Sequence, residues 1–168
     1  MFGFFRRKKK KVQREIKHTA PGTEIAYDPD LVTDLMHDHQ DLLGLFGQIS
    51  EAYSAKDYDR IPALLKEFGS MLRGHLLKEN IKLYIYLQHA FAEDSENSAL
   101  MQDFRSEMNG IGKTVTSFLN LYSEESRDQQ RKEAFGMELE AIGKVLVKRI
   151  ETEESAFYPL YISPSAYQ

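Results

Sequence analysis

The fold of this chain is decided by residues 61–79, which read IPALLKEFGSMLRGHLLKE. Apolar side chains recur there at alternating steps of three and four residues, at Ile61, Leu64, Phe68 and Met71. This spacing places them on one face of an α-helix and predicts that the face is buried. The same face continues with His75 and Glu79, which are four residues apart and point the same way from the helix. A polar pair therefore lies where a hydrophobic core is expected.

Three other segments carry the same periodicity. The inward faces that it predicts are Leu31, Leu35, His39, Leu42, Phe46, Ile49 and Tyr53; then Met101, Phe104, Met108, Ile111, Val115, Phe118 and Tyr122; and finally Phe135, Leu139, Ile142, Leu146, Arg149, Glu153, Phe157 and Leu160. No segment shows the alternation of a β-strand, and the predicted connections at 54–60, 93–98 and 123–128 are short. Short connections favour antiparallel neighbours. The sequence therefore predicts an all-α fold, an antiparallel up-down-up-down four-helix bundle.

Charge is distributed unevenly along the chain. Residues 1–17 hold eight Lys or Arg and one Glu, whereas the remaining residues hold 14 basic and 25 acidic side chains. We expect residues 1–29 to form a basic, disordered N-terminal arm, residues 30–160 the bundle and residues 161–168 a C-terminal tail. Three phenylalanines and six cationic residues within positions 2–11 could bind an anionic membrane surface. The alternatives are an arm that binds nucleic acid through phosphate charge and an arm that stays in solvent or folds back on the acidic body. Sequence-specific binding of nucleic acid is not expected.

Composition excludes several kinds of site. The chain has no Cys, so it can form no disulfide, thiol nucleophile or thiolate metal site. It also lacks a Gly-rich phosphate loop, a nucleophile elbow and a run of 18 apolar residues. We therefore expect a protein that is not an enzyme and that is cytoplasmic, at the inner membrane face if the arm binds lipid.

Five polar residues fall on the predicted inward faces: His39, His75, Glu79, Arg149 and Glu153. In a bundle, inward side chains from different helices meet in shared layers, which is how such folds build metal sites. A lone buried histidine is commonly a hydrogen-bonded core residue, but two histidines and two carboxylates on three helices fit that interpretation less well. A carboxylate buried without a partner is very costly, so these groups pair with each other or with a metal. His39, His75, Glu79 and Glu153 are therefore candidate ligands of one Fe, Zn or Mn ion.

Three segments resemble, in order and spacing, the hemerythrin-like, HHE cation-binding domain. They are LMHDHQDLL at 35–43, HLLKE at 75–79 and RIETEESAFYPL at 149–160, and the similarity covers residues 30–160. The resemblance implies a four-helix bundle around a carboxylate-bridged di-iron centre that binds or senses oxygen. It implies that His39 and His75 bind one iron, and that Glu79 and Glu153 bridge it to the second.

The match departs from the family at the second iron. Met108 and Arg149 stand where the resemblance places histidines, and a guanidinium group cannot bind a metal and repels one nearby. We therefore expect a degenerate site with either one metal ion or none. In both cases Arg149 supplies a positive charge that can bridge Glu79 and Glu153.

A weaker similarity, carried by Gly74-His75 with Glu79 and by Leu146 with Arg149 and Glu153, is to the regulator-of-sigma-D family of anti-sigma proteins. It implies a metal-free regulator that binds a sigma factor. The sequence thus leaves two functions open: a non-catalytic metal-binding or sensing domain, and a metal-free regulator with a protein partner.

Overall fold

A computed structural model describes residues 25–122 and 129–167. Their helices are α1 (Leu31–Ser54), α2 (Ile61–Lys78), α3 (Ile85–Ala90), α4 (Ser95–Tyr122) and α5 (Gln129–Thr152). A π-helical turn at Glu79–Tyr84 joins α2 to α3, and a second one at Glu153–Phe157 follows α5. Because α2 and α3 form one continuous segment, the described residues make four long helical segments and no strand. The predicted all-α four-helix bundle is confirmed.

Contacts between consecutive helices join the start of one to the end of the next. Asp38, near the start of α1, pairs with Lys78, the last residue of α2. Phe104, in the third turn of α4, lies against the guanidinium group of Arg149 in the last turn of α5. Within each of these two pairs the helices therefore run in opposite directions, as short connections favour.

A layer of polar side chains divides the core of the bundle into two apolar clusters. The larger cluster lies where α1 ends and α2 begins, and it includes Ile49, Leu65, Phe118 and Leu139. The smaller cluster lies where α1 begins and α5 ends, and it includes Leu31, Tyr86, Phe104 and Phe157. The layer between them consists of the five polar residues on the predicted inward faces, each at most 5% exposed. Packed apolar walls on both sides restrict the movement of these side chains.

The two π-helical turns change which residues face inward. Each turn contains one more residue than an α-helical turn, so the inward face shifts by one position. Tyr84 and Tyr158, five residues after Glu79 and Glu153, are therefore buried at the polar layer. The uninterrupted period instead predicted Leu160 on this face, and Leu160 is only half-buried.

The termini are described only in part. The chain enters α1 through Ile25–Asp30, and short 3₁₀ turns at Tyr158–Leu160 and Pro164–Tyr167 follow the second π-helical turn. No helix within the described ranges is long and apolar enough to cross a membrane. The predictions for the basic arm concern residues that lie outside the described part, apart from the segment beginning at Ile25.

Candidate metal centre

The fold brings together the four candidate ligands that the sequence predicts. His39 comes from α1, His75 from α2, and Glu79 and Glu153 from the first positions of the two π-helical turns. One potential ligand atom of each residue lies within 4.8 Å of those of the other three. The four side chains are between 0% and 4% exposed, so this polar pocket is closed to bulk water.

Both histidines are oriented by carboxylates on the side away from the pocket. His39 Nδ1 lies 2.8 Å from Glu154 Oε1, and His75 Nδ1 lies 3.3 Å from Asp38 Oδ2. Lys78 Nζ donates to the same Asp38 oxygen at 2.7 Å. These partners leave the Nε2 atom of each ring directed at the pocket. Metal-binding histidines usually have such an outer carboxylate, which bonds the far ring nitrogen and fixes the orientation of the ring.

Two tyrosines hold the carboxylates in a crossed arrangement. Tyr158 donates to Glu79 Oε1 at 3.0 Å, and Tyr84 donates to Glu153 Oε1 at 3.2 Å. The hydroxyl of Tyr158 also lies 3.2 Å from His39 Nε2. The other oxygen of each glutamate faces a histidine: Glu153 Oε2 lies 3.1 Å from His39 Nε2, and Glu79 Oε2 lies 3.6 Å from the Nε2 atom of His75. Each carboxylate therefore turns one oxygen to a protein donor and one to the pocket.

Arg149 closes one side of the pocket. Its Nε donates to Glu153 Oε1 at 2.7 Å, its Nη2 donates to the Tyr84 hydroxyl at 3.1 Å, and its guanidinium carbon lies 3.1 Å from the centre of the Phe104 ring. The expected bridge from Arg149 to both glutamates is wrong, because the arginine contacts Glu153 and not Glu79. The arginine lies one turn before Glu153 on the same helix and stacks on Phe104, and Tyr158 supplies the donor to Glu79.

Burial and close charges shift the pKa values of the two glutamates in opposite directions. Burial, followed by repulsion from Glu153, raises the pKa of Glu79 to about 8. Burial also opposes ionisation of Glu153, but the hydrogen bond from His39 and the charge of Arg149 outweigh it, so its pKa falls below the usual value. Without a metal, Glu79 therefore carries a proton at neutral pH while Glu153 is ionised.

The two histidines also differ. Burial acts to lower the pKa of His39, but its hydrogen bonds to Glu153 and Glu154 outweigh burial and leave the pKa raised. Burial and the nearby charge of His39 lower the pKa of His75 to about 4. His75 is thus neutral and able to bind a metal at physiological pH, whereas the raised pKa of His39 makes loss of its ring proton, which metal binding requires, less favourable.

The sequence analysis identified the inward ligand set but missed most of its supporting residues. It assigned no role to Asp38 or Tyr158. A signal for both tyrosines exists in the chain as a repeat: His75, Glu79 and Tyr84 have the same spacing as Arg149, Glu153 and Tyr158. Its glutamate-to-tyrosine step of five is the step of a π-helical turn and not of an α-helix.

The donors in the pocket fit a metal cation. Two imidazole nitrogens and two carboxylate oxygens converge, and Glu79 Oε2 is buried without any hydrogen-bond partner. A buried carboxylate oxygen in that state is costly unless a positive group completes it. Imidazole and carboxylate are ligands that transition metals of the iron-to-zinc series accept.

Comparison with known proteins agrees with this chemistry. The model of the hemerythrin HHE cation binding domain family matches residues 30–161, a range that contains all four convergent residues and both tyrosines. No curated protein and no solved structure shows significant similarity to the sequence. The family match extends over most of the chain, and the buried His/Glu cluster lies within it. The chain therefore belongs to the hemerythrin HHE cation-binding family.

Proposed function

We propose that this protein is a non-catalytic metal-binding domain with a sensing or regulatory role, and that it holds one ion where its family relatives imply two. His39, His75, Glu79 and Glu153 would each contribute one ligand atom. The observation that carries the proposal is the orientation of the two glutamates. Each carboxylate has one oxygen hydrogen-bonded to protein donors and the other oxygen facing a histidine.

The geometry opposes a second ion. A bridging carboxylate must give its second oxygen to the second metal, but Tyr158 occupies that oxygen in Glu79, and Arg149 with Tyr84 occupies it in Glu153. A metal on that side would also meet the positive charge of Arg149 at close range, which is unfavourable. Met108, the other replaced position, is half-buried and offers only a thioether.

The ligand set suits Fe(II), Zn(II) or Mn(II), and two nitrogen and two oxygen donors do not distinguish among them. Iron would supply a redox-active centre, whereas zinc would supply charge alone. The protein residues would exclude water, hold the histidines through Asp38 and Glu154, and keep the carboxylates apart through the tyrosines. The absence of a catalytic role remains a proposal from the sequence.

Metal stoichiometry tests the proposal directly. The full-length protein would be purified without oxygen and analysed for iron, zinc and manganese beside a His39→Ala/His75→Ala variant. We expect about one ion per chain, lost in that variant. The matched control is His37→Ala/His89→Ala, which removes two histidines that lie outside the pocket and should retain the metal. Two ions per chain, or equal metal in all three proteins, would refute a single site.

A metal-free regulator is the second candidate. The observation that favours it is the near-complete pairing of the layer, in which Arg149 already balances Glu153. Such a bundle would act by binding a protein, and the weaker anti-sigma similarity proposes a sigma factor as that partner. Metal at background in every variant, together with capture of a sigma factor that survives His39→Ala/His75→Ala, would favour this candidate. Binding of residues 2–11 to an anionic membrane surface, and a cytoplasmic location, remain proposals from the sequence.

A further inference from the structure

A groove that opens to solvent runs between α1 and α5. It has a volume of about 610 Å³, and none of the five residues of the polar layer lines it. Its apolar lining includes Phe46 and Tyr53 from α1 and Leu139 and Val147 from α5. The two aromatic rings are half-buried and Val147 is 42% exposed, so apolar surface faces solvent along the groove. A groove of this kind is typical of a binding site for the apolar face of a helix.

Two glycines of α5 shape this groove. Gly136 and Gly143 are seven residues apart, as are Phe46 and Tyr53 on α1. A Cβ atom on Gly143 would lie 2.8 Å from the ring of Phe46, and one on Gly136 would overlap the ring of Tyr53. The glycines therefore allow both rings to lie directly on the backbone of α5. Because glycine has no side chain, these two positions also leave the groove open.

The basic arm has the sequence pattern of a helix that fits such a groove. Its residues at alternating steps of three and four are Phe2, Phe5, Lys9, Val12 and Ile16. Four of these five are apolar, so an α-helix over residues 2–16 would carry one apolar face with a single cation in its middle. Pro21-Gly22 would end a helix soon after this segment. Residues 2–16 lie outside the described ranges, and the pattern comes from the sequence alone.

The arm matches the groove in length and can reach it. An α-helix rises about 1.5 Å per residue, so residues 2–16 would span about 21 Å. The α5 side of the groove, residues 136–151, spans about 22 Å. The link from Ile16 to Ile25 can extend to about 30 Å, which exceeds the roughly 22 Å along α1 from its first residue to Phe46. This link places Ile16 at the end of the groove nearest the start of α1, and Phe2 at the far end.

Charge draws the arm to the rest of the chain. Residues 1–17 hold eight basic side chains and one acidic side chain, whereas the other residues hold 14 basic and 25 acidic ones. The α5 rim of the groove holds Glu140, Lys144, Lys148 and Glu151, and Lys144 is already paired with Glu140 at 2.7 Å. The rim is therefore neutral overall. The attraction comes from the acidic body as a whole, and the apolar lining determines where the arm binds.

We propose that residues 2–16 bind as an amphipathic helix in the groove between α1 and α5 of the same chain. Because they are tethered, their effective concentration is on the order of millimolar, which favours them over a second copy or a separate protein. The bound arm would cover Phe46, Tyr53 and Val147 and would hold the basic run at 6–11 against the body. An anionic membrane surface would then compete with the groove for the arm. The groove lies apart from the metal centre, so this docking does not depend on a bound metal.

Disulfide formation tests the docking, because the chain has no Cys of its own. Residue 4 of the bound arm and Ser50 would both lie about one turn from the far end of the groove, where Tyr53 packs on Gly136. Full-length Phe4→Cys/Ser50→Cys would be oxidised with glutathione disulfide beside Phe4→Cys/Gln48→Cys. Gln48 is exposed on the same helix but does not line the groove. We expect the Ser50 pair to form its intramolecular disulfide at least about tenfold faster than the Gln48 pair.

Two substitutions on α5 show whether the groove itself holds the arm. Val147→Asp, added to the Ser50 pair, should lower its rate to that of the Gln48 pair, because a carboxylate then replaces part of the apolar lining. Val145→Asp is the matched control. Val145 is 44% exposed on the same helix and lies outside the groove, so its substitution should leave the rate unchanged.

Each alternative occupant gives a different result. Equal rates for the two cysteine pairs, or a rate that Val147→Asp does not lower, would overturn the proposal. A disulfide that joins two chains, at a rate that rises with protein concentration, would overturn it in favour of a second copy. Equal rates together with co-sedimentation of the unmodified protein with phosphatidylglycerol vesicles would overturn it and assign the arm to a lipid surface. All of these results are independent of the metal content that tests the proposed function.

Discussion

Replacing Arg149 by Met should destabilise the metal-free protein much more than the metal-loaded protein. Arg149 Nε lies 2.7 Å from Glu153 Oε1, and both side chains are at most 5% exposed. Methionine keeps most of the packing against Phe104 but removes the charge. In the metal-free variant, Glu153 is left buried with only His39 as a positive neighbour. In the loaded variant, the metal ion supplies the missing charge.

The size of the effect follows from the way in which Glu153 can relieve the loss. Breaking one side of a buried ion pair costs about 3–5 kcal/mol. The carboxylate can instead take up a proton. The unperturbed pKa of this group is 4.5, and each pH unit above it costs about 1.4 kcal/mol, so protonation at pH 7 costs about 3 kcal/mol. Protonation therefore limits the cost of the unpaired carboxylate to about 3 kcal/mol at pH 7 and to about 1 kcal/mol at pH 5, and the stabilisation that the pair gives the unmodified protein is lost in addition.

The sign of the pH dependence is fixed by the protonation of Glu153 in the folded variant. In the unmodified protein the lowered pKa of Glu153 stabilises the fold, and this contribution is lost only as the pH falls below the unfolded pKa of 4.5, so it is the same at pH 7 and at pH 5. In the variant, Glu153 binds a proton over this range only in the folded state, so the variant gains stability as the pH falls and the difference between the two proteins should shrink from pH 7 to pH 5.

Urea unfolding followed by circular dichroism would measure these differences, with and without bound metal. Lys144→Met is the matched control, because Lys144 and Glu140 form an ion pair of the same length and spacing on the exposed surface of the same helix. It should change stability within experimental error. Equal losses for both variants, or a loss for Arg149→Met that bound metal and pH do not alter, would refute the reasoning.

Three further predictions concern the ligands, a tyrosine and a turn. Between pH 6.5 and 8 the metal-free protein should lose stability, because Glu79, with a pKa of about 8, and His39, with a raised pKa, hold protons that only the folded state binds in this range. Metal affinity, measured by competition with a chelator, should rise over the same range. A stability that increases with pH here would contradict the assignment. Tyr158→Phe removes the donor to Glu79 and should weaken metal binding about tenfold in the same competition assay, whereas Tyr53→Phe, away from the pocket, should not. Lys56, in the turn after α1, has a φ of 59°, a conformation that glycine adopts more easily than lysine. Lys56→Gly should therefore raise the unfolding free energy, measured in urea, by about 0.5–1 kcal/mol, and an unchanged or lower value would show that the turn is not strained.

Most of the architecture was predictable because helical periodicity is a local signal. The inward positions of His39, His75 and Arg149 follow from the spacing of their apolar neighbours, and neither α1 nor α2 interrupts that spacing before the polar layer. After Glu153 the continuous period correctly predicted Phe157 as inward but predicted Leu160 in place of Tyr158, since a π-helical turn depends on tertiary contacts that propensity does not express. Tyr158 was therefore missed although it touches two candidate ligands.

The sequence by itself determined the bundle and the polar layer within it, including a permanent cation at Arg149. These depend on residue type and on steps of three and four along one helix. Only the tertiary structure decided that Tyr84 and Tyr158 cross to opposite glutamates and that Asp38 and Glu154 orient the histidines. It alone shows that Nη1 of Arg149 has no hydrogen-bond partner among the described residues. The reason is physical: those features depend on which atoms of different helices come within about 3 Å of each other, and that distance is set by packing between helices that no local pattern encodes.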